Sequence, residues 1–539
     1  MAIPMSKRFV SIFVVVLIFV SLNGCKQSTD NYYTNPLYFA DYSDPDVIRV
    51  GNDFYMVTSS FTYSPGLPIY HSKDLVHWQQ IGNVVDRHAE DFFDVPRHGM
   101  GIWAPSIRYH NNYFWVYYGD PDFGIYMTKA MNHAGPWEPL TLVHAGKGLI
   151  DPCPFWDDDG NAYLVRAWAK SRAGINSVLV MHRMSPEGDK LLDDGVMIFD
   201  GTETQPTIEG PKMYKRNGYY YIFAPAGGVT PGWQTVLRSK DVFGPYEERV
   251  VMHQGDTDTN GPHQGGWVEL ESGEHWFLHF QCNGAYGRMP HLNPLVWQAD
   301  DWPIIGIDSN DDGIGEPVST FQYPNTGNPI TYVPQLASDE FDGEKLMPQW
   351  RWQANYRDEW YSLTENTGCL RLYSYPVENE NLLVVPQVIT QKFPAEEFTA
   401  TAKLNLSNLE NGDITGLAAM GNDYATVRIA KINGEFMLSY AARHNADADG
   451  ELKVKESHSF ESDTVLLTIN VSAGAICSFS FSADGNDYIT VGSNFQAKRL
   501  RWVGSSIALY CFGSGDGASG GSVDIDWVRV DYFDKNPIH

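Results

Sequence analysis

The chain has 539 residues, more than one hydrophobic core usually organises, so two domains are expected. Acids outnumber bases 66 to 38, for a net charge of −28, and no basic run is read after residue 8, which excludes nucleic acid and anionic membrane surfaces as partners. Aromatic residues make up 14% of the chain, which favours β-structure.

Residues 1–24 have the order of a lipoprotein signal peptide: Lys7-Arg8, an apolar run over 9–20, then Leu22-Asn23-Gly24-Cys25. The apolar run is short for a membrane span. Cys25 is the expected lipidation site, and its lipid the chain's membrane attachment. No acidic cluster follows it, so a periplasm-facing anchor, in the outer membrane, is expected ahead of surface display. Cys153, Cys282, Cys369, Cys477 and Cys511 lack CxxC spacing and are odd in number. Buried free thiols are expected rather than disulfides or a zinc site.

A turn followed by an aromatic strand then repeats. Gly51-Asn52-Asp53-Phe54-Tyr55-Met56-Val57 recurs as Asn111-Asn112-Tyr113-Phe114-Trp115-Val116 and as Asp159-Gly160-Asn161-Ala162-Tyr163-Leu164-Val165. Further copies are Asn217-Gly218-Tyr219-Tyr220-Tyr221-Ile222 and Ser272-Gly273-Glu274-His275-Trp276-Phe277-Leu278. A spacing of roughly 50–60 residues is blade-sized, and no long helical period appears. The spacing predicts a five-bladed β-propeller over 35–330, with a channel where inner strands start.

Residues 308–334 read as a linker. Within them Asp308-Ser309-Asn310-Asp311-Asp312-Gly313 copies the start of an EF-hand loop, but position twelve is Ser319 and no helices flank it, so an acidic turn is expected. From 338 to 535 alternating segments, among them Phe398-Thr399-Ala400-Thr401-Ala402-Lys403-Leu404, predict an all-β sandwich of the jelly-roll kind.

Three acidic strings start aromatic-rich segments: Ser43-Asp44-Pro45-Asp46, Ile150-Asp151-Pro152 and Ile208-Glu209-Gly210-Pro211. They accompany the first, third and fourth repeats, so a propeller would bring them to one point. Hydrolysis of a glycosidic bond with inversion needs a carboxylate base, a carboxylic acid and room for water between them. A third carboxylate raises the acid's pKa.

These strings, in this order, resemble glycoside hydrolase family 43, the inverting β-xylosidases and α-L-arabinofuranosidases, over nearly all of the mature chain. The resemblance implies Asp44 as general base, Glu209 as general acid and Asp151 as pKa modulator. Asp46 stays outside the catalytic set, because relatives often have Ser there. Gly101-Ile102-Trp103-Ala104-Pro105 and Ser59-Ser60-Phe61 match segments that wall the sugar pocket, and Gly287-Arg288 one whose arginine binds sugar hydroxyls. Asn260-Gly261-Pro262-His263-Gln264-Gly265-Gly266-Trp267 resembles the segment whose histidine nears the propeller axis, where the family often holds a structural cation, commonly Ca2+. No cofactor is required for the chemistry. The C-terminal region resembles the concanavalin-like sandwich that lends some relatives an active-site aromatic, and Phe512 is the candidate here.

The leading expectation is an exo-acting α-L-arabinofuranosidase on hemicellulose oligosaccharides from arabinoxylan, arabinan or xyloglucan, with β-D-xylosidase or both activities as the alternative. A retaining fructan hydrolase fits less well, since that family's strings resemble Asn-Asp-Pro-Asn, Arg-Asp-Pro and Glu-Cys. A non-catalytic glycan-binding lipoprotein would explain the aromatics but not the three acids. The sequence does not address oligomeric state.

Overall fold

The computed structural model describes residues 1, 31–514, 520–534 and 536. The expected signal peptide and Cys25 lie outside the described residues. Among the described residues no helix is long and apolar enough to cross a membrane. The protein is all-β: the one α-helix among the described residues is Lys170–Ala173.

Five four-stranded antiparallel sheets follow one another in sequence, each with its strands in chain order. Their innermost strands are Asp46–Val50, Trp103–His110, Leu149–Trp156, Lys212–Arg216 and His263–Glu269, and we call the sheets blades I to V. Each aromatic repeat is the second strand of its blade, the first being Asp53–Val57 and the last His275–Cys282. The repeat is rich in aromatics because this strand is covered on both faces by neighbouring blades: Tyr221 and Phe223 pack with Trp267 and Phe277 of the next blade.

Among the described residues no strand is exchanged between blades I and V. Instead Tyr32–Thr34 pairs with Thr320–Gln322, a strand inside the stretch expected to be a linker. Tyr33 donates its hydroxyl to Leu292 O of blade V at 2.8 Å, and the Asn35 amide reaches the same carbonyl at 2.8 Å. The acidic turn at 308–313 is exposed and satisfies itself, with Asp308 accepting from the amides of Asp312 and Gly313.

The C-terminal region is a sandwich of an eight-stranded and a seven-stranded sheet. Alternation sets its core: in Phe398–Asn405 every second residue is buried. The two domains share apolar clusters, since Phe61 and Tyr63 of the propeller pack with Leu382, Val388 and Tyr510 of the sandwich. Lys392, on the sandwich strand Ile389–Lys392, donates to Asp41 O at 2.6 Å and Tyr70 Oη at 2.8 Å. Burial pulls this amine down to about 7. The five cysteines are free thiols; Cys153, Cys477 and Cys511 are buried, whereas Cys282 and Cys369 are partly exposed.

Candidate active site

The inner strands of a propeller converge, and here their first residues carry the chemistry. In blades II, III and V the register slips near the strand start, at Trp103/Ser106, Ile150/Cys153 and His263/Gly265. Such bulges turn a side chain away from the ladder. Asp151 lies within the second slip and has φ 57°. In blades I and IV the acid precedes the paired strand: Asp44 has φ 52°, and Glu209 is tied by its amide to Pro225 O at 3.0 Å. Non-glycine residues held at positive φ are costly, about 1–3 kcal/mol each, and cluster where the surrounding structure needs them.

Asp44, Asp151 and Glu209 line one cavity of about 280 Å³, together with Phe61, Trp103 and Arg288. These are the six residues expected for catalysis and sugar binding. Asp44 accepts a 2.6 Å hydrogen bond from Ser59 Oγ on one oxygen and pairs with Arg288 Nη1 on the other. Arg288 is thus engaged with the carboxylate, and its amide donates to Asp41 Oδ1 at 2.9 Å. Asp151 accepts from Gly210 N at 2.7 Å, a contact made from a glycine at φ 59°. A Cβ at Gly210 would also meet the Gln264 side chain at 2.8 Å. That explains the Gly after Glu209.

Burial pushes the Asp151 carboxyl well up from its ordinary value; the charge of Asp44 adds to this, while the Gly210 hydrogen bond opposes it. Burial likewise raises Glu209, with the charges of Asp151 and Asp44 raising it further and Arg288 opposing, to about 8. The side chain of Glu209 is still 32% exposed, open to the cavity. The pocket thus brings together a carboxyl whose proton affinity is raised, a carboxyl paired with Arg288, and a third carboxyl whose charge raises the first.

His263 is fully buried with its Nε2 3.7 Å from Glu209 Oε1, and neither ring nitrogen has a hydrogen-bond partner. Burial holds it neutral, down to about 3. A neutral, unpartnered imidazole fits one ligand position for a cation. Among the described residues no three His, Cys, Asp or Glu side chains group as a metal site, so a cation there would lean on water for its remaining ligands.

Asp46 is buried away from the cavity. Its Oδ2 accepts from Ile107 N at 2.9 Å and Arg108 Nη1 at 2.7 Å, which is a structural task.

The sandwich does lend an aromatic, but it is Trp502 rather than Phe512. Phe512 lies on Ser506–Ser514, which is buried along nearly its whole length; it is 1% exposed and stacks on Tyr510 in the apolar cluster shared with the propeller. Trp502 stands on a loop at φ 67°, lines the cavity, and meets Trp103 edge-on at 6.4 Å. The Arg288 guanidinium lies 5.6 Å from its ring centre. Gln264, Thr207 and Trp168 also line the cavity without having been expected. The stretch before Trp502, Lys498-Arg499-Leu500-Arg501, places three bases in four positions and corrects the reading that no basic run follows residue 8.

Residues 33–303 match the family described as glycosyl hydrolases family 43, and residues 338–531 match the beta xylosidase C-terminal concanavalin A-like domain. A Xylanibacter ruminicola protein carrying a beta-xylosidase name is 39% identical over 486 residues, spanning 90% of this chain and 87% of its own. The non-reducing end alpha-L-arabinofuranosidase BoGH43B of Bacteroides ovatus is 33% identical over 423 residues, covering 75% and 77%. Among solved structures, the Bacteroides ovatus xyloglucan PUL GH43B superposes with a TM-score of 0.79 at 27% identity, covering 93% of this chain and all of its own (100%).

Proposed function

This chain belongs to glycoside hydrolase family 43, and from that premise we propose that it releases single pentosyl residues from the non-reducing ends of hemicellulose oligosaccharides with inversion. The observation that carries this reading is one cavity into which Glu209 opens and which also holds Asp151 and the Arg288-paired Asp44. Asp44 takes the proton of a water attacking the anomeric carbon. Glu209 protonates the departing oxygen as the bond breaks. Asp151 keeps Glu209 protonated by like-charge repulsion and orients Gly210 beside it. Phe61, Trp103 and Trp502 supply apolar walls for the ring. No step passes through a cation: where His263 holds one, it adds fixed positive charge near Glu209.

β-D-Xylose is the proposed sugar, because the relative with a beta-xylosidase name is both more similar and aligned over more of the chain. α-L-Arabinofuranose, the leading expectation from sequence, is the second reading, supported by the 33% identical Bacteroides ovatus enzyme. Proton NMR of the first-formed sugar on aryl β-D-xyloside and aryl α-L-arabinofuranoside tests both points. Net retention overturns the mechanism; faster turnover of the arabinofuranoside reverses the order of sugars. Lipidation at Cys25 is proposed as the route to the membrane, and loss of labelled-palmitate incorporation in Cys25→Ser checks it.

A further inference from the structure

The cavity has an acidic floor and a basic rim. Asp44, Asp151 and Glu209 are its only acidic lining residues among those described, whereas Lys170 lines it as an exposed cation. Past Trp502 a second groove of about 550 Å³ opens between blade V and the sandwich, lined by Asn283, Asn422, Gln496, Lys498 and Arg499 among others. No Asp or Glu lines that groove among the described residues, in a chain with 66 acids. The two spaces are neighbours along the chain. Val229 lines the first and Thr230 the second, while Trp502 and Arg499 stand three positions apart on one loop.

Arg499 and Arg501 precede Trp502 on one loop and reach different neighbours. Arg499 extends over blade V, its Nη1 3.7 Å from Cys282 Sγ. Arg501 lies across Gly99, where an added Cβ would come within 2.7 Å of its Cγ, and Gly99 O accepts from Trp103 Nε1 at 3.1 Å. Lys498 is already paired with Asp423 at 2.8 Å. Arg499, Arg501 and Lys170 enter no ion pair among the described residues, and all three are exposed. A net charge of −28 repels any anionic ligand at long range, so the unpaired guanidinium groups beside Trp502 would act on an anion only at short range.

We propose that this rim binds a carboxylate on the leaving-group side of the substrate, so that the enzyme prefers pentose oligosaccharides bearing a hexuronic acid next to the terminal, cleavable pentose. Guanidinium forks are matched to carboxylates, and the groove beyond Trp502 gives the branch room. The inference rests on the hydrolase reading above for where the leaving group lies.

The test compares kcat/KM on a neutral xylo-oligosaccharide, on one with glucuronic acid on the second residue, and on one with the same acid at the far reducing end. The expected result is a preference of about fivefold for the proximal acid, lost in about 0.5 M salt as the charges are screened. Arg499→Gln and Arg501→Gln are expected to lower the acidic-to-neutral ratio, with the double variant near one. Arg501→Lys, which keeps the charge but not the fork, should retain part of the preference and exceed Arg501→Gln, which a folding defect would not produce. Equal rates on the three substrates, or an equal preference for the distal acid, overturn the proposal. Calorimetric binding of the same sugars to Glu209→Gln separates the two readings. If no pentoside is turned over but the proximal acid still binds more tightly, the hydrolase reading fails and the anion site stands; neutral turnover without any acidic preference does the reverse.

Discussion

The propeller and the sandwich meet at one pocket and contribute to it in opposite ways. The propeller supplies ionisable groups that are buried or nearly so, each at the start of an inner strand and locked by bulges, positive φ and backbone hydrogen bonds. The sandwich supplies Trp502 and two exposed arginines from a single loop. Proton transfer needs groups fixed within a fraction of an ångström, and strands between packed blades provide that. Recognition of a variable leaving group tolerates a loop on a second domain.

The comparison is broken most directly at its acidic half. Glu209→Gln and Asp44→Asn are each expected to lower kcat about 10³-fold on natural oligosaccharides, within the usual range for general acid–base groups. Steady-state rates on xylobiose measure this, and variants retaining a tenth of wild-type turnover would remove these residues from the chemistry.

Asp151→Asn is the next largest effect, about 30-fold in kcat, and it carries a pH signature. Glu209 must be protonated, so its ionisation near 8 ends activity on the alkaline side. The negative charge of Asp151 helps hold that value up. A neutral Asn removes the repulsion, so the alkaline limb moves to lower pH. A limb that stays in place, or moves up, shows that Asp151 does not tune Glu209.

On the sandwich side, Trp502→Ala is expected to lower kcat/KM about tenfold, the order of one lost aromatic wall, mainly through KM. Phe512→Leu, in the apolar cluster between the two domains, should reduce stability and leave KM alone. Equal KM values for wild type and Trp502→Ala would confine the active site to the propeller.

The same division explains what was legible in the sequence. Blades recur, so their turn-plus-aromatic second strands repeat in the chain, and acids at blade starts inherit a recognisable Asp-Pro or Glu-Gly-Pro setting. Trp502 belongs to no repeat. It follows a strand-free stretch, and the resemblance calls for an aromatic without placing it, whereas Phe512 lies buried on Ser506–Ser514. The one signal was Lys498-Arg499-Leu500-Arg501-Trp502, a basic aromatic string in an acidic chain. Gln264 and Thr207 were not legible because positive backbone angles, 44° and 58°, decide where they point. The closing pair of Tyr32–Thr34 with Thr320–Gln322 was hidden for a similar reason: each is three residues long, too short for periodicity.

The smallest effect on turnover is expected two residues from the largest. Asp46 shares a string with Asp44, yet its side chain points between blades I and II, where Oδ2 binds Ile107 N and Arg108. Asp46→Asn leaves the Arg108 charge buried without its partner. Breaking such a pair costs about 3 kcal/mol, so the melting temperature should fall by several degrees. Well below the melt, kcat should stay within about threefold of wild type, because nothing in the cavity loses a contact. Thermal unfolding with parallel rates at low temperature reads both quantities. The same change at Asp44 also breaks a buried pair, with Arg288, so it should lower the melting temperature comparably, but there turnover falls about 10³-fold. If folded Asp46→Asn enzyme is as inactive as Asp44→Asn, burial does not separate the two aspartates, and the base is set by the whole Ser-Asp-Pro-Asp string.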